Sequence, residues 1–172
     1  MKRGLLVVVI GLFLAGCAND LYETNPGSLK TIGPNDNQNP PPSQKLNLVL
    51  FSAPWCGECK PKLQTTESLL ASVLSAADHR RVNVTLYVVE GRRVHSQPTD
   101  RVTSDYATAL GTRFNVVSDP WYWNTYKAFY HDNQYAVPAA VLLDQKNQPI
   151  QIFERGLFLP EEVVALIEDK LK

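Results

Sequence analysis

The stretch Trp55-Cys56-Gly57-Glu58-Cys59 constrains this chain more than any other. Two cysteines separated by two residues serve either as a redox dithiol or as half of a zinc site, and zinc needs four ligands. No second pair of this kind exists in the sequence, which leaves redox chemistry. A purely structural disulfide is the duller reading, but a two-residue gap closes so small a loop that it would add little chain-entropy stabilisation. The pair follows the apolar run Leu46-Asn47-Leu48-Val49-Leu50-Phe51 and precedes residues 60–73, whose leucines and serines read as a helix. It therefore sits where a buried strand ends and a helix begins. There, unpaired backbone N–H groups and the positive end of the helix dipole face the first sulfur. Both favour the thiolate, which is the nucleophile.

A second motif lies far along the chain: Val137-Pro138 directly before the apolar run Ala139 to Leu143. With W-C-x-x-C between a strand and a helix, and this proline ahead of a later strand, the chain resembles the thioredoxin superfamily. The stretch Tyr135 to Asp144, then a turn and a strand ending near Gly156, is most similar to the TlpA-like or ResA-like periplasmic branch. The resemblance spans residues 46–172 and implies an α/β thioredoxin fold. In such a fold a central mixed β-sheet would be flanked by helices, with a βα insertion before the cis-proline strand. It also implies that Cys56 attacks and Cys59 resolves, that Val137-Pro138 is cis and faces the dithiol, and that Trp55, Val137 and Pro138 contact substrate.

Three positions depart from that pattern. Leu50 stands where thioredoxins carry a buried aspartate that assists proton transfer at the second cysteine. Lys62 stands where many ResA-like reductases have a glutamate, and Gln64 where the helix proline is expected. Pro61 falls earlier, in the first turns, where proline is tolerated. The nearest acid to the dithiol in sequence is Glu58, a candidate proton acceptor for Cys59. Its carboxylate would also oppose the Cys56 thiolate and so tune the thiol pKa.

The chain opens with Lys2 and Arg3, then the short apolar run Leu5 to Leu14, then Ala15-Gly16-Cys17. About 20 apolar residues are needed to span a bilayer, so this run is too short and reads as a secretory signal. Leu14-Ala15-Gly16-Cys17 resembles a bacterial lipobox. That implies removal of residues 1–16 and acylation of Cys17, which would anchor the protein in the lipid bilayer. An ordinary signal peptide with a stray cysteine is the plainer alternative. Acylation would also remove the odd thiol of three in an exported protein and leave Cys56 and Cys59 as a pair. Ala18 rather than Asp after the cysteine implies, by analogy with lipoprotein sorting in enteric bacteria, the outer membrane more than the inner. Residues 18–45 are rich in Asn, Pro, Gly, Ser, Gln and Asp, and read as a tether whose reach is about 90 Å extended and about 30 Å as a coil. Part of it, around Leu29 to Ile32, has apolar residues that would allow packing on the domain.

Beyond the first helix, residues 82–89 are rich in β-branched side chains and read as a core strand ended by Gly91. A helix from about Thr103 to Leu110, a short strand at residues 114–117 and a helix over residues 121–130, started by Ser118-Asp119-Pro120, are expected next. A hairpin strand at residues 150–154 and a closing helix at residues 160–171 follow, the helix with Leu159, Val163, Val164 and Ile167 on one apolar face. The aromatic cluster Trp121, Tyr122, Trp123, Tyr126, Phe129 and Tyr130 forms either core or the rim of a substrate groove. His79, His95 and His131 lack ligand spacing, so no metal site is expected.

Charge excludes one class of partner. The sequence balances 17 Lys and Arg against 17 Asp and Glu, and loss of Lys2 and Arg3 would leave a net charge near −2, with no basic excess for nucleic acid. The resulting expectation is an exported, membrane-tethered thiol–disulfide oxidoreductase facing the periplasm, free of metal or organic cofactor. It would reduce disulfides of envelope proteins and be reset by a redox partner. A disulfide oxidase or isomerase, or a non-catalytic peptide-binding lipoprotein, are the alternatives.

Overall fold

A computed structural model describes residues 45–119, 123–131 and 134–172; the expected signal, the lipobox with Cys17 and all but the last residue of the tether lie outside them. Five strands form one mixed sheet in the order β3-β2-β1-β4-β5. At its centre is β1, Leu46–Ser52, all seven residues buried. It pairs in parallel with β2, Val82–Val88, and antiparallel with β4, Ala139–Leu143. A strand covered on both faces must be apolar throughout rather than alternating, which is what Leu-Asn-Leu-Val-Leu-Phe-Ser provides. Its one amide is satisfied: Asn47 Nδ2 donates to Asn147 Oδ1 at 2.9 Å, and its Oδ1 accepts from Asn83 Nδ2 at 3.1 Å.

The side chains of β1 divide the core into two layers. Leu46, Leu48 and Leu50 point towards α1, Cys59–Val73, and α5, Pro160–Leu171, meeting Leu63, Leu70, Val163 and Ile167. Val49 and Phe51 point the other way, into Trp123, Tyr126, Phe129 and Tyr130. Each fully buried large side chain contributes about 1.5–3 kcal/mol. Of the expected apolar face of the last helix, Val163, Val164 and Ile167 are buried, whereas Leu159, just before α5, is 49% exposed.

Between β2 and β4 the chain adds α3, Asp100–Leu110, and β3, Asn115–Ser118, which pairs in parallel with β2 at the sheet edge. The short α2, Ala76–His79, joins α1 to β2. Helix α3 is capped at both ends: the Thr99 hydroxyl accepts from Val102 N, and Gly111 takes the left-handed conformation at φ 63°. The helix expected over residues 121–130 appears among the described residues only as α4, Asn124–Lys127. Trp123 before it is left-handed at φ 64°, which interrupts helical continuity, and the buried Asp119 carboxylate accepts from Thr125 N at 3.1 Å. β5, Pro149–Ile152, completes the hairpin with β4.

Candidate active site at the carboxyl end of the central strand

Beyond Ser52 the chain turns at once: Cys56 N donates to Ala53 O at 3.0 Å, and Cys59 N to Cys56 O at 3.3 Å. α1 begins at Cys59, with Glu58 in the preceding cap position making no side-chain capping bond. Cys56 and Cys59 form a disulfide with Cα atoms 5.4 Å apart. The two sulfurs differ in access. Cys56 is half-buried at the surface, whereas Cys59 is wholly buried among the leucines of α1 and β1.

The proline motif arrives from the other side. The Val137–Pro138 peptide is cis, and the Val137 carbonyl oxygen lies 3.6 Å from Cys56 Sγ. Trp55, Cys56, Glu58, Cys59, Val137 and Pro138, six of the seven residues singled out from sequence, thus gather at one end of the sheet; the seventh, Cys17, lies outside the described residues. The segment before the proline is held by Tyr126, whose hydroxyl donates to Ala136 O at 3.1 Å and accepts from Ala136 N at 3.2 Å. After it, Gly156 N donates to Pro138 O at 2.7 Å.

The charged groups around the dithiol follow from the departures noted above. Leu50 is fully buried and supplies no acid. Lys62 turns its ammonium to the Phe158 carbonyl at 3.1 Å and the Gly156 carbonyl at 3.3 Å, tying α1 to the segment after β5. Glu58 is exposed. One further acid, which sequence reasoning passed over, is Glu90: it is 2% exposed, and its carboxylate accepts from Trp55 Nε1 at 2.7 Å. The signal for it was a lone charge at the end of the apolar stretch Val84 to Val89.

Of the aromatic cluster, Trp123, Tyr126, Phe129 and Tyr130 are buried and form core, so among the described residues they do not rim a groove. Burial pushes the Tyr130 and Tyr106 phenols up from their usual range; for Tyr106 a hydrogen bond with Ser52 at 2.7 Å acts weakly the other way. The aromatic at the dithiol rim is instead Trp55, 40% exposed. A cleft lined by Leu70, His79, Val82 and Phe114 belongs to the opposite end of the sheet, because Val82 pairs with Leu46. Among the described residues no cluster of three or more His, Cys, Asp or Glu side chains is arranged to hold a metal ion, and no helix is long and apolar enough to cross a membrane.

No protein-family model and no curated protein matches the chain. Solved structures do. StoA from Bacillus subtilis superposes with a TM-score of 0.52 at 21% identity, over 73% of this chain and 84% of that one. A thioredoxin-like protein from Aeropyrum pernix gives 0.54 at 14% identity, over 73% and 77%. A DsbF homologue from Corynebacterium diphtheriae gives 0.53 at 15% identity, over 73% and 71%. The mixed five-stranded sheet, the flanking helices and these superpositions agree: the chain has the thioredoxin fold.

Proposed function

We propose that this protein is a TlpA-like or ResA-like thiol–disulfide oxidoreductase of the bacterial envelope, tethered to lipid through Cys17 and working through Cys56 and Cys59. The observation that carries this reading is the asymmetry of the disulfide. One sulfur is at the surface beside the Val137 carbonyl, and the other is wholly buried behind it. In the reducing direction the Cys56 thiolate attacks a substrate disulfide, forming a mixed disulfide and releasing one substrate thiolate. The Cys59 thiolate then attacks Cys56 Sγ, the mixed disulfide breaks, and the second substrate thiolate leaves. Two electrons pass from the dithiol to the substrate, and the two thiol protons end on the released thiolates. A dithiol partner restores the reduced pair, with no metal or organic cofactor.

Val137, whose carbonyl lies beside Cys56 Sγ, Pro138 after it and Trp55 next to Cys56 in the chain would contact the substrate backbone. The expected substrates are disulfide-bonded proteins of the envelope, reached from an anchor that the lipobox-like Leu14-Ala15-Gly16-Cys17 would supply on the periplasmic side, at the outer membrane rather than the inner. Labelling with radioactive palmitate should mark the wild type and not Cys17→Ser; a wild type found unlabelled and wholly soluble would remove the anchor from this reading.

The catalytic part is tested by insulin reduction and by trapping. Wild type should accelerate reduction and Cys56→Ser should fall to the uncatalysed rate, whereas a peptide binder without turnover would leave both there. Cys59→Ser should accumulate mixed disulfides with its substrates and Cys56→Ser few or none. Equal trapping by the two variants would overturn the division of labour between the sulfurs.

A further inference from the structure

The structure assigns to Glu90, a residue outside both motifs, the positioning of the two walls of the Cys56–Cys59 site; this rests on the redox reading of that site. Glu90 reaches the dithiol through strand register. β2 ends level with β1, Val88 opposite Ser52, and Val89 N then donates to Ser52 O at 3.0 Å. One residue further, the Glu90 side chain is carried to Trp55, which Cys56 follows directly.

A carboxylate only 2% exposed persists when its oxygens are hydrogen-bonded. Here Oε2 accepts from Trp55 Nε1 at 2.7 Å, while Oε1 accepts from His95 N at 3.0 Å and Trp123 Nε1 at 3.1 Å. Donors converge on both oxygens, and a carboxylate side chain has an acceptor oxygen to offer each set. Glutamine has the same shape but would turn an NH2 group towards one set of donors.

Through these bonds Glu90 acts on both sides of the disulfide. On one side it fixes Trp55, the neighbour of Cys56. On the other it fixes Trp123, which packs edge-on against Tyr126 with centroids 4.8 Å apart. Tyr126 in turn holds both backbone polar groups of Ala136, next to the Val137 whose carbonyl meets Cys56 Sγ. Glu90 touches neither sulfur in these contacts; it sets where the tryptophan and the proline segment stand relative to them.

The test is a double-mutant cycle read in kcat/KM for insulin reduction. Glu90→Gln should lower kcat/KM about tenfold, since misplaced site groups cost rate steeply. In a Trp55→Phe background, where one indole donor is gone, the same change should cost clearly less, because contacting residues are not additive. A merely structural Glu90 would lower Tm while leaving kcat/KM at moderate temperature unchanged, or would multiply independently with Trp55→Phe. Either result overturns the proposal.

Should Glu90→Gln fail to fold, the wild type still decides. Its Trp55 indole N–H, identified by its loss in Trp55→Phe, should be protected from solvent exchange in the oxidised and reduced proteins alike. Fast exchange in both would overturn the assignment. A wild type inert towards insulin but with a protected indole would refute the redox reading and leave the Glu90–Trp55 contact standing.

Discussion

Glu58 occupies the cap position of α1 and makes no capping bond, and its exposed carboxylate stands two residues from Cys56, where its charge would disfavour a thiolate. Removing that charge in Glu58→Gln should lower the Cys56 pKa in the reduced protein, since a nearby carboxylate disfavours the thiolate. A more stable thiolate stabilises the reduced form, so the variant should also be more oxidising in equilibrium with glutathione. An unchanged or higher thiol pKa by absorbance at 240 nm would show that Glu58 does not tune the site. Cys56, Cys59 and Pro138 were legible in the sequence because each belongs to a short motif with a local conformational reason. Glu90 was not, because its one local mark, a lone charge at the end of Val84 to Val89, says nothing of what it binds. Its role comes from the pairing of Val88 with Ser52 and from donors, Trp55 and Trp123, that are 35 and 33 residues away.

At the scale of elements, the long apolar strands and the last helix could be read directly, since Leu46 to Phe51, Ala139 to Leu143 and residues 160–171 carry continuous or helical patterns. The stretch around Trp123 could not. Its aromatics fit a helix by composition, but the left-handed Trp123 and the buried Asp119 set its start by tertiary packing. The loop after β2 is as tightly specified. A Cβ on Gly91 would come within 2.6 Å of Ser96 Oγ and 2.7 Å of the Gln97 carbonyl oxygen, closer than atoms can stand. Gly91→Ala should therefore push the loop outward and destabilise the fold by about 1–3 kcal/mol, the range for overpacking. A urea midpoint equal to the wild type would show that the loop yields freely. Thr99→Ala removes the α3 cap and should cost about 1 kcal/mol by the same measurement, with activity retained.

For the molecule as a whole, burial of three phenols links stability to alkaline pH. Tyr87, Tyr106 and Tyr130 all have raised pKa values through burial, that of Tyr87 also through the Asp119 carboxylate. Below about pH 10 these groups are protonated folded or unfolded, and their full contribution is present. As pH rises past the unfolded value the unfolded chain loses protons that the native state keeps, so stability falls until the folded values are passed. The urea midpoint should drop as pH rises above about 10, and Tyr106→Phe should flatten part of that drop. Identical pH dependence in the variant would clear Tyr106 of any part in it. The seven buried residues of β1 have one further consequence. The chain enters the sheet at Leu46 and meets the disulfide just past Ser52, so handle and working tip are at opposite ends of one rod, about 20 Å apart. A pull on Leu46 would run along the central strand, which is paired on both sides. The disulfide stands at the far end of that strand from Leu46, as a blade stands away from its grip.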